Sequence, residues 1–172
     1  MSLESVFLKF SADKIDQLCG RIETCVGKLT PEQAWARGTE NENAIGNLML
    51  HLAGNVRQWI LHGVGDQPDV RVRDAEFDAR GDIGVDELTR RLRATVDEAV
   101  ALIRALPPGR LCELRTIQKH YDVTVLEAIY HVVEHFSGHT GQIIFATKLV
   151  TGNDLGFYAY LRNSRTAEEK TP

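Results

Sequence analysis

Six histidines occur at positions 51, 62, 120, 131, 135 and 139, and three of them, His131, His135 and His139, follow one another at intervals of four. On a helix, residues four apart lie one above the other, so two such imidazoles can meet at a single metal ion. All three cannot share it, because two turns separate His131 from His139, roughly 12 Å at about 1.5 Å per residue. The chelating pair is therefore His131 with His135, or His135 with His139. The apolar stripe of Leu126, Ile129, Val132, Val133, Phe136, Ile143 and Ile144 decides between them. At about 100° per residue, His139 falls roughly 80° from the centre of that stripe, His135 about 120° and His131 about 160°. His135 and His139 flank the core and form the better chelate, whereas His131 faces outward.

A third ligand must come from another helix. The segment carrying His51 has its own buried stripe of Ile45, Leu48, Leu52, Val56 and Trp59. His51 lies about 100° from the centre of that stripe, again on the edge of the core. The expected site is three neutral imidazoles, His51, His135 and His139, meeting inside a helical bundle, where such proteins build metal sites. On spacing alone, a packed structural histidine is the commoner outcome for any one of them. His62 and His120 read as surface or loop residues, and Glu134 as a solvated glutamate whose wheel position points away from a ligand or base role.

Three histidine ligands leave a coordination position open, unlike the four protein ligands of a closed structural zinc site. An open ion can bring the pKa of a bound water near neutrality, which makes a hydrolase, or hold a thiol as thiolate, which makes an S-transferase. A metal-binding or stress-related bundle without catalysis is a further reading, as is a bundle whose histidines are merely packed. Imidazoles suit zinc, nickel, copper and iron alike. Asn55, one turn beyond His51, can orient a ligand or make an ordinary bond within the bundle. Arg73 can bind an anionic substrate group or pair with Asp74 or Glu76. No residue is singled out as catalytic.

The elements that must carry these residues are legible as four long helices. The first spans about residues 3 to 29 and stops at Thr30 and Pro31, which open a short turn with Gln33. The second runs from near Glu42 to Gly63. Residues 66 to 82 are charged, carry Gly and Pro and lack helical periodicity, so they form a long connection with a short turn near Asp74 to Phe77. The third helix covers residues 85 to 106 and ends at Pro107, Pro108 and Gly109. Residues 111 to 118 and 119 to 123 alternate weakly as a small hairpin. Thr124 caps the fourth helix, residues 125 to 150, and Gly152 closes it. The segment from Leu155 to Leu161 packs on the bundle, and residues 165 to 172 form a frayed tail. The architecture is an all-α four-helix bundle in one domain, residues 1 to 172.

The 172 residues carry a formal net charge of −4, which argues against a general nucleic-acid binder. Arg90, Arg91 and Arg93 form a local basic cluster, most simply a solvated helix face. No apolar run reaches the roughly 18 to 20 residues that span a bilayer, and the start has no clean leader, so the expected location is cytoplasmic. Cys19, Cys25 and Cys112 make no disulfide framework and no CxxC pair.

Two motifs then point to a family. The run from Asn43 through His51 and Asn55 to Trp59 resembles the second helix of the DinB-like superfamily. The run His131, His135, His139, Gly141, Gln142 resembles its signature helix, with the HxxxHxGQ ending. The stretch Asp69 to Phe77, with Arg73 and Glu76, resembles one uncharacterised branch. This resemblance implies a four-helix bundle of DinB type, a metal triad of His51, His135 and His139, and zinc or nickel as the ion. It also implies a homodimer. Relatives that use bacillithiol, mycothiol or glutathione imply a low-molecular-weight thiol and a small electrophile as substrates.

Overall fold

The computed structural model describes residues 2–161. Helices α1 (Leu3–Val26), α3 (Ile45–Val56), α5 (Val85–Ala105) and α6 (Val125–Thr151) form the bundle. Two short helices, α2 (Pro31–Trp35) and α4 (Arg73–Asp78), and a two-stranded hairpin, β1 (Leu114–Ile117) and β2 (Tyr121–Thr124), decorate it. Helix α1 packs on α5 and α6, and α3 packs on the same two, so α3 and α6 come side by side.

Local chemistry sets most boundaries. Ser2 Oγ accepts from Ser5 N at the start of α1. Thr30 and Gln33 make a capping box for α2, as do Thr124 and Glu127 for α6. Gly152 ends α6 with φ +67°, the left-handed conformation glycine adopts without penalty. The core is one apolar cluster drawn from all four long helices, including Ile15, Ile22, Met49, Leu52, Leu92, Ile103, Ile129 and Phe136, each 1% exposed or less. Of the segment expected to pack after α6, Leu155 and Phe157 lie against the core, whereas Tyr158, Tyr160 and Leu161 are exposed. The frayed tail expected from residue 165 lies outside the described residues.

Several expectations are corrected. The second long helix begins at Ile45 rather than Glu42, where Asn47 Oδ1 accepts from Ala44 N. After Val56 it continues as a π-helical turn, Arg57–His62, with Gly63 N donating to Gln58 O and Gly65 N to Ile60 O. Periodicity at 3.6 residues does not reveal an inserted residue of this kind. Residues 108–112 form a 3-10 turn, and the hairpin is shorter than the alternation suggested. Leu126, counted in the buried stripe, is 39% exposed.

Candidate functional site

Helix α3 carries His51 on its second turn and α6 carries His135 and His139 on successive turns, and the pairing of these helices brings the three rings together. His51 Nε2 lies 3.1 Å from His135 Nε2, and His139 Nε2 lies 3.2 Å from the same atom. One ligand atom from each of the three falls within 4.8 Å of the others, the arrangement that could hold a metal ion.

The other ring nitrogens decide where the protons sit. His51 Nδ1 is 3.0 Å from Glu76 Oε2. Arg71 Nη2 lies 3.1 Å from the same nitrogen but already donates to Glu76 Oε2 at 2.9 Å, so we assign the proton to His51 Nδ1, donating to the carboxylate. His139 Nδ1 likewise donates to Gln142 Oε1 at 2.7 Å. Both residues therefore turn an unprotonated Nε2 toward His135. At most one proton, on His135 Nε2, serves the shared space, and His135 Nδ1 is buried with no partner. Nitrogen ligands at about 2.0–2.1 Å from a tetrahedral ion stand roughly 3.3 Å apart, close to the observed spacings. Three soft-to-borderline neutral donors, two of them oriented by an outer hydrogen bond, fit a divalent transition ion.

Burial favours the uncharged forms of His135, His139 and His131. Desolvation, followed by the neighbouring His139 and His51, lowers the His135 pKa to about 3. Burial also lowers His139, against the opposing bond to Gln142, and it lowers His131. Glu76 behaves in the opposite way. Burial disfavours its charge, but bonds from Arg71 and His51 outweigh that and hold the carboxyl below its usual range.

A cavity of about 500 Å³ opens beside His51 and His135. His51 and His135 form its floor, and Trp59, Tyr121 and His131 form an aromatic wall. The Trp59 ring lies 4.0 Å from the His131 ring and 5.8 Å from that of Tyr121. His131 is thus half-buried against Trp59 and does not face outward as its wheel angle suggested. Asn55 is 4% exposed and lines the same cavity, yet its Oδ1 has no hydrogen-bond partner. Trp59 Nε1 is likewise buried and unpartnered. An orphan acceptor and an orphan donor one turn apart are unusual enough to mark a place where a ligand or an ordered water completes the bonding.

Arg73 also lines the cavity, with its guanidinium over the Phe77 ring at 4.9 Å. The expected pairing of Arg73 with Glu76 does not form. Arg71 takes that carboxylate instead, a partner the sequence reading missed, together with Gln58 and Gln118.

The remaining candidates fall outside the site. Glu134 and His120 are exposed, and His62 Nδ1 lies 2.6 Å from Gln67 O. Arg90 and Arg91 pair with Glu87, and Arg93 reaches Asp16 and Glu23, so carboxylates neutralise the basic cluster. Burial pushes the Cys19 thiol up to about 12 and raises Cys25, which removes both as nucleophiles near neutral pH. Cys112 is exposed.

Fold and site together define a helical bundle with a histidine cluster between two of its helices and an aromatic-walled cavity above it. The family described as mycothiol-S-transferase matches residues 12–149. The chain belongs to that family, within the DinB-like superfamily. A conserved protein from Enterococcus faecalis, known from its crystal structure, is similar in fold, with a TM-score of 0.72 and 18% sequence identity over 89% of this chain and 99% of that one. No curated protein matches the chain. No helix among the described residues is long and apolar enough to cross a membrane.

Proposed function

We propose that this protein is a metal-dependent thiol S-transferase in which His51, His135 and His139 hold one divalent transition ion, zinc or nickel. The observation that carries the reading is the convergence of the three Nε2 atoms, those of His51 and His139 lying 3.1 and 3.2 Å from that of His135. Four-ligand structural sites close around their ion, whereas three imidazoles beside a cavity leave room for a substrate. When bound, the ion supplies Lewis acidity that favours the thiolate form of a low-molecular-weight thiol.

The chain's own residues do the rest. Burial favours the uncharged form of His139, and the bonds to Glu76 and Gln142 fix the orientations of the His51 and His139 rings. The wall of Trp59, Tyr121 and His131 excludes water from one side of the cavity and offers flat surfaces to a planar electrophile. Arg73, with no carboxylate partner among the described residues, suits an anionic group on either substrate. Asn55, whose side chain lines the cavity, suits an amide or hydroxyl group of a substrate. Mycothiol is the first thiol to test, because the family's description names it. The same reading carries a homodimer, a cytoplasmic location and a single domain over residues 1 to 172.

Elemental analysis of the purified protein, followed by a screen of mycothiol, bacillithiol and glutathione against small electrophiles, tests the proposal. Stoichiometric zinc or nickel with thiol-dependent conjugation is expected. Protein that stays metal-free in the presence of excess ion would overturn it. Ester or amide hydrolysis without a thiol would show that the site activates water instead, and metal without turnover of either kind would leave a binding protein.

A further inference from the structure

Glu76 is the buried carboxylate nearest the histidines, yet it comes from α4, a six-residue helix in the long connection. We propose that Glu76 is the positioning residue of the three-histidine site, and that Arg71 sets how much of its negative charge reaches His51. The inference rests on the metal reading of that site.

Three features place the carboxylate. Asn47 Nδ2 donates to Glu76 O at 2.9 Å and to Ala79 O at 3.1 Å, which ties α4 to the start of α3. Gly54, on α3 one turn beyond His51, leaves the space that the carboxylate fills; a Cβ at Gly54 would meet Glu76 Oε1 at 1.9 Å. Arg71 grips both oxygens, Nε to Oε1 at 2.7 Å and Nη2 to Oε2 at 2.9 Å. The Arg71 side chain is 4% exposed, and its Nη1 donates to Gln58 Oε1 at 2.9 Å. The π-helical turn supplies that glutamine, and Gln58 Nε2 in turn donates to Asp69 Oδ2 at 2.8 Å.

The consequence for His51 is chemical. Its Nδ1–H donates to Oε2, which holds the ring in one tautomer and one orientation with Nε2 bare. A carboxylate behind a ligating imidazole also raises the basicity of the ligating nitrogen. Arg71 moderates that effect, because its cation shares the same oxygen and its Nη2 lies 3.1 Å from His51 Nδ1. Carboxylate and guanidinium therefore act on His51 in opposite directions. An ion pair that merely pinned the loop would respond alike to loss of either partner.

Co(II) titration of the full-length protein, with affinity taken from competition against a chromophoric chelator, separates the two roles. Glu76→Gln is expected to weaken Co(II) binding about 10- to 100-fold, the usual effect of losing an outer-shell partner. Arg71→Met leaves the carboxylate's full charge on His51 and is expected not to weaken binding. Gly54→Ala keeps both charges but displaces the carboxylate, so it should weaken binding as Glu76→Gln does; it carries the test should Glu76→Gln fail to fold. Wild-type affinity in Glu76→Gln, or equal weakening in Glu76→Gln and Arg71→Met, overturns the proposal.

A second readout needs no metal. Long-range proton–nitrogen correlation spectra of the metal-free protein should show His51 as the Nδ1–H tautomer, turning into a tautomer mixture in Glu76→Gln. Wild-type protein that binds no Co(II) but shows this tautomer change sinks the metal reading and leaves the positioning role standing. An unchanged tautomer sinks the positioning role even where Co(II) binds.

Discussion

Replacing His135 with leucine should flatten the pH dependence of stability of the metal-free protein. In the folded chain, burial and the neighbouring histidines lower the His135 pKa from 6.5 to about 3. In the unfolded chain the imidazole titrates near its ordinary value, about 6.5. The folded pKa is depressed, so the unfolded state binds the extra proton. The stability contribution is complete above about pH 6.5 and is lost as pH falls from there toward about 3. At pH 5.0 the unfolded imidazole is almost fully protonated and the folded one is not, a difference of about 2 kcal/mol by linkage. That figure hardly changes for any folded pKa below about 4.5. Because the ring is only half-buried, solvent screening reduces the expected loss to about 1–2 kcal/mol. Urea unfolding after chelator treatment, at pH 7.5 and pH 5.0, measures it in wild type and in His135→Leu. His131 and His139 shift in the same direction and remain in both proteins, so the difference between the two pH slopes isolates His135. Equal losses on acidification in the two proteins would refute the view that burial keeps this ring neutral.

Other outcomes follow from the same geometry. His51→Ala should lose bound metal and thiol-dependent turnover while far-ultraviolet circular dichroism stays near wild type, since the ring lies at the edge of the core; full metal content in the variant would count against the site. Arg73→Gln should raise KM for an anionic substrate several-fold with kcat nearly unchanged, because the guanidinium lines the cavity without touching the three histidines; a neutral analogue should show no such shift. Phe136→Ala should cost about 3–5 kcal/mol, read from the urea midpoint, because that ring is 0% exposed in the core between the helices.

Helix identity and most ends were readable along the chain because they are local. Apolar spacing near 3.6 residues marks a buried stripe, and Thr30, Thr124 and Gly152 act on backbone groups within a turn of themselves. The juxtaposition of His135 and His139 belongs to the same class, since four residues along a helix fix a neighbour. The direction of His131 does not. A helical wheel knows only the axis of its own helix, and what buries His131 is Trp59, carried on another helix and turned by a π-helical insertion that periodicity does not register. The choice between Arg71 and Arg73 as partner of Glu76 was hidden for a related reason: a loop's path depends on what it lies against.

Residue order along single helices was thus enough to nominate His51, His135 and His139 and the bundle that carries them. The approach of His51 to His135 at 3.1 Å, the carboxylate behind His51 and the cavity above them arise only when α3, α4 and α6 meet. The reason is one of range. Backbone hydrogen bonding and side-chain spacing act over a few residues, whereas desolvation, ion pairing and cavity shape depend on atoms brought together from far apart in the chain.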